Sequence, residues 1–246
     1  MENRLDKFKD PNFKFNEDSH TYTYLSNGEP VQTFKSVTGF ISLFKSKFDS
    51  DFWANKKAKD RGVSPQEILN EWKNTSDIAL DLGTRVHKWI EDYYNGLDPD
   101  PPSDTRARER VDAFLNLYHE KLYKFQPVAQ EFRLFSRKWG LAGTTDAIFK
   151  MNGKYYIGDW KTNGNFTTDL DKCYQKLKRP FGHLWENSLN TYSIQLSLYR
   201  LILEEEAGFT TNGAFLAWIG PNLKPKLYNT VDLTGILKTF LQQHKI

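Results

Sequence analysis

Two acids and a lysine in consecutive strand-like segments carry the strongest chemical signal in the sequence. Asp146 lies in GTTDAIFK, and Asp159 and Lys161 lie in YYIGDWKTN, with the Gly-containing MNGK between them as a turn. An antiparallel pair would bring the two carboxylates together at one end. Lys161 would share a face with Asp159 because side chains alternate along a strand. Burying these charges would be costly without a metal or substrate between them, so the pattern predicts a site.

The chemistry that this trio suits is metal-dependent cleavage of a phosphodiester. Asp146 and Asp159 are the predicted metal ligands, and hard oxygen donors favour Mg²⁺ or Mn²⁺. A bound metal ion polarises the scissile phosphate and lowers the pKa of a bound water. The Lys161 ammonium could orient that water and stabilise charge in the transition state. The alternative is a pair of solvated strand ends joined by a salt bridge.

Two further polar residues precede the trio. His87 lies in GTRVHKWIE, a helical pattern whose apolar positions predict partial burial, and it could supply another metal ligand that favours Mn²⁺. Alternatively, His87 bonds locally to Glu91 one turn on. Glu131 lies on the preceding strand and could reach Asp146 through water or a second metal, or simply pair with Arg133.

A downstream helix carries a glutamine and a phenol on one face. Gln195 and Tyr199 in YSIQLSLYR occupy positions i and i+4 of the helix, and Tyr192 lies one turn earlier. Such a pair can bond a phosphate or support the strand that carries the metal site. Tyr199 could equally be a core residue of an amphipathic helix.

The segment 163–190 mixes cations with aromatic residues. Cations bind a phosphate backbone and aromatic rings stack on unpaired bases, so this composition would suit a single-stranded or frayed DNA end. A solvated surface is the alternative. The residues concerned are Lys172, Lys176, Lys178 and Arg179, interleaved with Tyr174, Phe181 and Trp185.

Composition limits the remaining possibilities. The 246 residues suffice for one sizeable core, and a net charge of +3 permits a local basic cleft without requiring one. Cys173 is the only cysteine, which excludes an intramolecular disulfide and a four-cysteine iron–sulfur cluster. The sequence has no phosphate-binding P-loop. The charged residues 1–10 and the absence of a long apolar run predict a cytoplasmic protein without membrane contact.

Periodicity and capping residues predict an α/β fold, a mixed central sheet flanked by helices. An N-terminal β-meander precedes helices that start after Ser36, at Asp49 or Ser50, at Ser64 and at Ser103 or Asp104. The third helix is expected to break near 73–76. The other expected elements are strands 128–136, 141–150, 154–161, 213–219 and 226–231, helix 191–207 and a closing helix from 232 or 233.

In order and spacing, these elements resemble the PD-(D/E)XK nucleases, in particular the branch of RecB-type nuclease domains and the mitochondrial genome maintenance exonuclease. No single element is specific, but five occur in order. The motif-bearing part runs from about His87 to Tyr199. The matching residues are Gly83–His87, the acid Glu131, Gly143–Asp146, Asp159–Lys161 and Gln195–Tyr199.

The resemblance implies a restriction-endonuclease-like core and a set of roles. It implies that His87, Asp146, Asp159 and the Trp160 carbonyl are metal ligands. It also implies that Lys161 interacts with the attacking water. Many relatives carry an iron–sulfur cluster, and this chain would belong with those that lack one. Thr145 stands where the motif often has proline. The N-terminal stretch is also similar to small nucleases of tailed phages.

The resemblance implies a single nuclease domain over 1–246, with N-terminal additions over 1–75, the core over 76–246 and a basic insertion at 163–190. The expected activity is a Mg²⁺- or Mn²⁺-dependent DNA exonuclease of recombination, replication or end-processing, in a bacterial or phage-infected cell. A flap or branch endonuclease of the same chemistry and an inactive DNA-binding module are the alternatives. RNA is an alternative substrate.

Overall fold

The structure is a computed structural model that describes residues 2–221 and 223–244. Its strands are β1 (Phe13–Asn16), β2 (Thr21–Ser26), β3 (Glu29–Ser36), β4 (Gln126–Ser136), β5 (Leu141–Met151), β6 (Lys154–Lys161), β7 (Gly213–Trp218) and β8 (Lys226–Asn229). Its helices are α1 (Val37–Ser42), α2 (Ser50–Arg61), α3 (Pro65–Tyr94), α4 (Thr105–Glu120), α5 (Ser188–Ala207) and α6 (Thr234–Gln243). Short 3₁₀ turns span Glu2–Lys9 and Leu122–Lys124.

The eight strands of this part of the chain form one mixed sheet. The order is β1-β2-β3-β5-β6-β7-β8, and β4 pairs with β5. The β3–β5 and β6–β7 pairs are parallel and the others antiparallel. Helices cover both faces, as parallel pairs require, since their crossovers lie on the faces of the sheet. The predicted α/β class is confirmed.

The hairpin that carries the three charged residues is built as its turn residues predict. Asn152 and Gly153 both have positive φ, at 51° and 73°, which is the backbone of a two-residue hairpin turn. The turn sets the register, and Ala147 therefore pairs with Gly158. The next positions along the two strands are Asp146 and Asp159, which face one another.

The N-terminal meander is an extension of the central sheet. Strands β1 to β3 form an antiparallel ribbon, and the end of β3 pairs with β5 through Lys35–Leu141 and Ser36–Ala142. The Lys35 N–H also donates to the Gly140 carbonyl at 2.8 Å. The meander thus reaches the edge of β5 that leads to Asp146.

Helix starts follow the capping residues predicted from the sequence. Ser36, Asp49 and Asp104 each accept a backbone N–H of the first turn, and Ser64 forms a reciprocal box with Glu67. Helix α5 begins three residues earlier than expected because Asn187 caps it.

The predicted break near 73–76 is wrong, because α3 is continuous over 30 residues. No proline or glycine interrupts its first half. The Lys73–Asp77 ion pair at 2.7 Å and the Thr75 hydroxyl, which donates to the Glu71 carbonyl, follow the helical spacing.

Two hydrophobic cores lie on the two faces of the sheet. One packs α1, α5 and α6 against β-strand residues such as Ile148 and Ile157. The other packs α3 and α4 against Phe149, Trp160 and Phe215. No helix of the described ranges combines the length and apolarity that a membrane crossing needs.

Candidate active site

The candidate site lies at a gap between strands. Strand β4 runs along one edge of β5, whereas the other edge pairs first with β3 at Leu141 and Ala142 and then with β6 from Ala147 onward. Between these two partners, residues 143–146 have no strand partner on that edge in the described structure. Beyond Gly158, strand β6 no longer pairs with β5 and stays paired with β7, which follows its other edge from Tyr156 to Lys161. Asp146 and Asp159 therefore lie where the strands separate.

Asp146 bridges the separating strands with its side chain. Its Oδ2 accepts the Trp160 backbone N–H at 2.7 Å, replacing a ladder hydrogen bond. The N–H and C=O of one strand residue point to the same edge, so the Trp160 carbonyl also faces the gap. The Lys161 carbonyl points the other way and accepts from Ile219 at 2.7 Å. The Trp160 indole is buried under α3 and α4, which fixes this stretch of β6.

Lys161, which is partly exposed to the cleft, forms an ion pair at 2.6 Å with the buried Asp159. Burial alone would lower the pKa of Lys161, but the Asp159 and Asp146 carboxylates outweigh it and raise that pKa, so the lysine stays protonated at neutral pH. Its ammonium also lies 4.4 Å from the Tyr192 ring centroid. Burial and the Asp146 charge raise the pKa of Asp159 to about 6. Lys161 is thus a fixed cation and hydrogen-bond donor, unsuited to accept a proton.

His87 reaches the same cluster from α3. Its Nδ1 lies 3.5 Å from Asp146 Oδ2 and 3.9 Å from Glu131 Oε1. Burial would lower the pKa of His87, but Asp146 and Glu131 outweigh it and raise that pKa. The bond to Glu91 considered from the sequence is not formed, since Glu91 contacts Lys88 instead.

Glu131 enters the cluster through an unusual backbone. Its φ of 44° is left-handed, although it lies within β4. A non-glycine residue in this region costs about 1–3 kcal/mol and is found most often where function requires it. The neighbouring pairs Gln130–Ala147 and Phe132–Thr145 place Glu131 beside Asp146.

The donor set fits a divalent metal ion. One ligand atom from each of His87, Glu131 and Asp146 lies within 4.8 Å of the others. Asp159 is 1% exposed, and its Oδ1 has no hydrogen-bond partner among the described residues, so a buried acceptor is left for a cation. Carboxylate and carbonyl oxygens are ligands that suit Mg²⁺ and Mn²⁺, and an imidazole is a ligand of transition-metal ions. Asp159 itself lies outside the His87–Glu131–Asp146 set.

We expect divalent-metal stabilisation of the protein to grow with pH. The pKa of Asp159 is raised to about 6 in the folded protein, above its pKa in the unfolded chain. Without metal, the free energy of unfolding therefore falls as the pH rises from the unfolded-chain pKa through about 6. Metal binding competes with the same protons. The shift in unfolding midpoint caused by Mn²⁺ should therefore be larger at about pH 8 than at about pH 5. Thermal unfolding measures it, and an equal shift at both pH values would contradict the assignment.

Gly143 and Tyr199 are packed against each other. A Cβ on Gly143 would lie 2.8 Å from Tyr199 Cε1 and 3.0 Å from its hydroxyl. Tyr199 is buried, which raises its pKa, and its hydroxyl accepts from Gln195 Nε2 at 3.2 Å. The phenol of α5 therefore rests on the backbone of β5, three residues before Asp146. Tyr199 is a core residue, as one sequence interpretation predicted, and its contact with Gly143 also supports the strand that carries the metal site.

Gly143→Ala is expected to destabilise the protein by about 1–3 kcal/mol, because the new methyl group collides with a buried ring. Tyr199→Leu removes the colliding atoms, so it should cost less in the Gly143→Ala background than in the wild type. Urea unfolding of the four proteins in this double-mutant cycle measures the coupling. Strictly additive effects would show that the contact does not position β5. Gly164→Ala serves as a control for substitution of a glycine that has no neighbour within 4 Å and no left-handed backbone.

The basic residues predicted to bind DNA lie outside the cleft that contains the site. Lys176, Lys178 and Arg179 are exposed, and none is among the residues that line the cleft described below. Phe181 is fully buried against Phe44 at 4.9 Å, so its predicted role in base stacking is wrong. The segment is held by irregular contacts, including Asp169, which accepts from Asn187 and Asn190.

A cleft of about 1130 Å³ opens onto the site. His87, Glu131 and Lys161 lie on its floor, with Gln195 and Tyr199. The sequence did not reveal that the N-terminal meander forms one of its walls. That wall includes Phe15, Glu17, His20 and Tyr22. The only local signal was the aromatic alternation of β1 and β2.

A mixed sheet covered by helices, with an acidic cluster where two strands separate, places the chain among the restriction-endonuclease-like α/β folds. The family model of the PD-(D/E)XK nuclease superfamily matches residues 103–232, and the chain belongs to that superfamily. The matched span contains Asp146, Asp159, Lys161, Gln195 and Tyr199, whereas His87 precedes it. No curated protein matches the chain.

Two solved structures are similar at low identity. One is a protein of Eubacterium rectale that is provisionally described as an exonuclease. The match has 13% sequence identity and a TM-score of 0.45, and it covers 68% of this chain and 64% of that chain. The chain thus spans less than two thirds of that structure. The other is SSO0001, at 13% identity and a TM-score of 0.36, covering 98% of this chain and 82% of that one.

Proposed function

We propose that this protein is a divalent-metal-dependent DNA exonuclease that hydrolyses phosphodiester bonds. The observation that carries the proposal is the convergence of Asp146, Asp159 and Lys161 at the gap between β5 and β6, with His87 beside Asp146. Membership in the PD-(D/E)XK superfamily supports nuclease chemistry. An inactive DNA-binding module is disfavoured because the complete set of charged residues is in place.

The proposed metal ligands are His87, Asp146, Asp159 and the Trp160 carbonyl, with Glu131 close enough to join them directly or through water. Bound Mg²⁺ or Mn²⁺ would supply Lewis-acid activation of the scissile phosphate and of a water molecule. The chain needs no iron–sulfur cluster for this chemistry.

The remaining roles belong to side chains around that set. Protonated Lys161 would donate to the attacking water or to the phosphate oxygen on which charge develops, and Asp159 keeps the ammonium in position. Gln195 and Tyr199 would support β5 from α5, and Gln195 also lines the cleft, within reach of a phosphate. Lys176, Lys178 and Arg179 would contact DNA outside the cleft.

We further propose that residues 1–246 act as one nuclease domain, with 1–75 as an addition to the 76–246 core and 163–190 as an insertion. The continuous sheet from β1 to β8 supports this organisation. A place in recombination, replication or end-processing and a phage origin follow from the sequence resemblance, and a cytoplasmic location follows from the charged residues 1–10 and the absence of a long apolar run. All three stay predictions.

Exonuclease action is tested with one DNA sequence in two forms. We expect release of nucleotides from linear single-stranded DNA, while a closed circle of the same sequence stays intact. Cleavage of the circle would instead favour an endonuclease. A labelled duplex with and without a single-stranded overhang tests the proposed preference for an unpaired end.

A further inference from the structure

The meander wall of the cleft is a group of stacked rings. Phe15 stacks on Tyr22 with centroids 4.5 Å apart and a 28° angle between planes, and His20 lies 5.6 Å from Phe15. Tyr22 is buried, Phe15 is half-buried and His20 is exposed, so exposure increases along the group from Tyr22 to His20. We call Phe15, His20 and Tyr22 the aromatic wall.

The aromatic wall is coupled directly to the strand that carries the metal site. The Tyr22 hydroxyl lies 3.2 Å from the Thr144 hydroxyl. Thr144 and Asp146 are two residues apart and share a face of β5, which separates them by roughly 7 Å. The wall therefore begins about one nucleotide away from the cluster of candidate ligands.

A cation lies on the wall. The Arg133 guanidinium is 5.3 Å from the Phe15 ring centroid, and Arg133 also lines the cleft. Its carboxylate neighbour Glu17 is 3.8 Å away and 83% exposed, a geometry that contributes little to stability. The guanidinium can therefore exchange this contact for a phosphate, which it binds in bidentate fashion.

The core explains only part of this arrangement. Phe13, on the same strand, is buried and stacks on Phe135 at 4.3 Å, so it serves packing. Phe15 packs against the same core but is only half-buried and also lines the cleft, and exposed His20 has a left-handed φ of 50° and its ring lies beside Phe15. Rings and a guanidinium beside a phosphate-cleaving centre are the features that recognise unpaired bases.

We propose that the aromatic wall binds the base of an unpaired nucleotide next to the scissile phosphate, with Arg133 on the adjoining phosphate. The inference rests on the proposed nuclease function and gives it a substrate class, DNA that is single-stranded at the site. A base held in a duplex has its faces covered by its neighbours and cannot stack on the wall.

The test compares binding of oligothymidylate with binding of an abasic oligonucleotide of the same length, by fluorescence anisotropy in the presence of EDTA. The wild type should bind oligothymidylate about 5- to 100-fold more tightly, the range that base–aromatic stacking produces. In the combined variant Phe15→Leu, His20→Asn this ratio should fall towards 1. Leucine preserves the packing of Phe15, and asparagine tolerates the left-handed backbone.

Tyr123→Leu is the matched control, since Tyr123 is an exposed aromatic residue outside the cleft and should leave the ratio unchanged. If the combined variant is unstable, His20→Asn alone should lower the ratio partly. An unchanged ratio in these variants, or no preference in the wild type, would overturn the inference. A wild type that cleaves DNA without preferring bases would refute the wall and leave the nuclease proposal intact. Base preference without metal-dependent cleavage would refute only the nuclease proposal.

Discussion

Asp146→Asn is expected to lower the rate of DNA hydrolysis by at least about 10³-fold and to abolish stabilisation by Mn²⁺. The substitution removes a charge from the centre of the donor set, where Asp146 lies beside His87 and Glu131. Asparagine retains an oxygen that can accept the Trp160 N–H, so the strands should keep their positions. Loss of activity would then report the metal site and not the fold.

The stability of Asp146→Asn without metal distinguishes these effects. Burial raises the pKa of Asp146, which shows that its charge is unfavourable in the folded protein without a cation. The metal-free variant should therefore unfold at the same temperature as the wild type or higher. Asp112→Asn, an exposed residue of α4, should retain both activity and metal stabilisation. Full activity in Asp146→Asn would refute the ligand assignment.

Lys161→Met is expected to reduce hydrolysis by about 10²–10³-fold while metal stabilisation persists. Methionine has a similar length but no charge, so the transition state loses a charged hydrogen-bond donor. The metal-free variant should be less stable than the wild type, because Asp159 loses its partner at 2.6 Å and still faces Asp146. Metal should restore much of that stability.

The comparison of Lys161→Met with Asp146→Asn separates catalysis from metal binding. Nuclease rates and thermal unfolding with and without Mn²⁺ are measured on both. Lys154→Met, at the exposed hairpin turn, controls for loss of a lysine on the same strand. If Lys161→Met loses metal stabilisation as well, the lysine positions the ligands and has no separate role in the chemistry.

The hairpin of the site could be predicted from sequence because all its determinants are local. The two-residue turn at Asn152 and Gly153 sets the register, and alternation along β6 then places Asp159 and Lys161 on one face. The helix caps could be predicted for the same reason, because each cap depends on residues that are close in sequence.

Features that depend on distant contacts could not be predicted. The meander reaches the site through only two residue pairs between β3 and β5. The sequence of neither strand indicates that the two strands pair. The left-handed backbone of Glu131 occurs at a residue type that does not favour it. The close contact of Gly143 with Tyr199 joins residues that are far apart in sequence, although each was recognised separately. Segment 163–190 has no hydrophobic periodicity, so the burial of Phe181 could not be predicted from its sequence.

We propose that Asp146, Asp159 and Lys161 form a metal-dependent nuclease site. Its most direct test is digestion of end-labelled linear single-stranded DNA by the purified protein and, in parallel, by Asp159→Asn prepared in the same way. We predict cleavage by the wild type with Mg²⁺ or Mn²⁺, none in EDTA, and none by folded Asp159→Asn. Equal, metal-dependent cleavage by Asp159→Asn, or cleavage by the wild type in EDTA, would contradict the site.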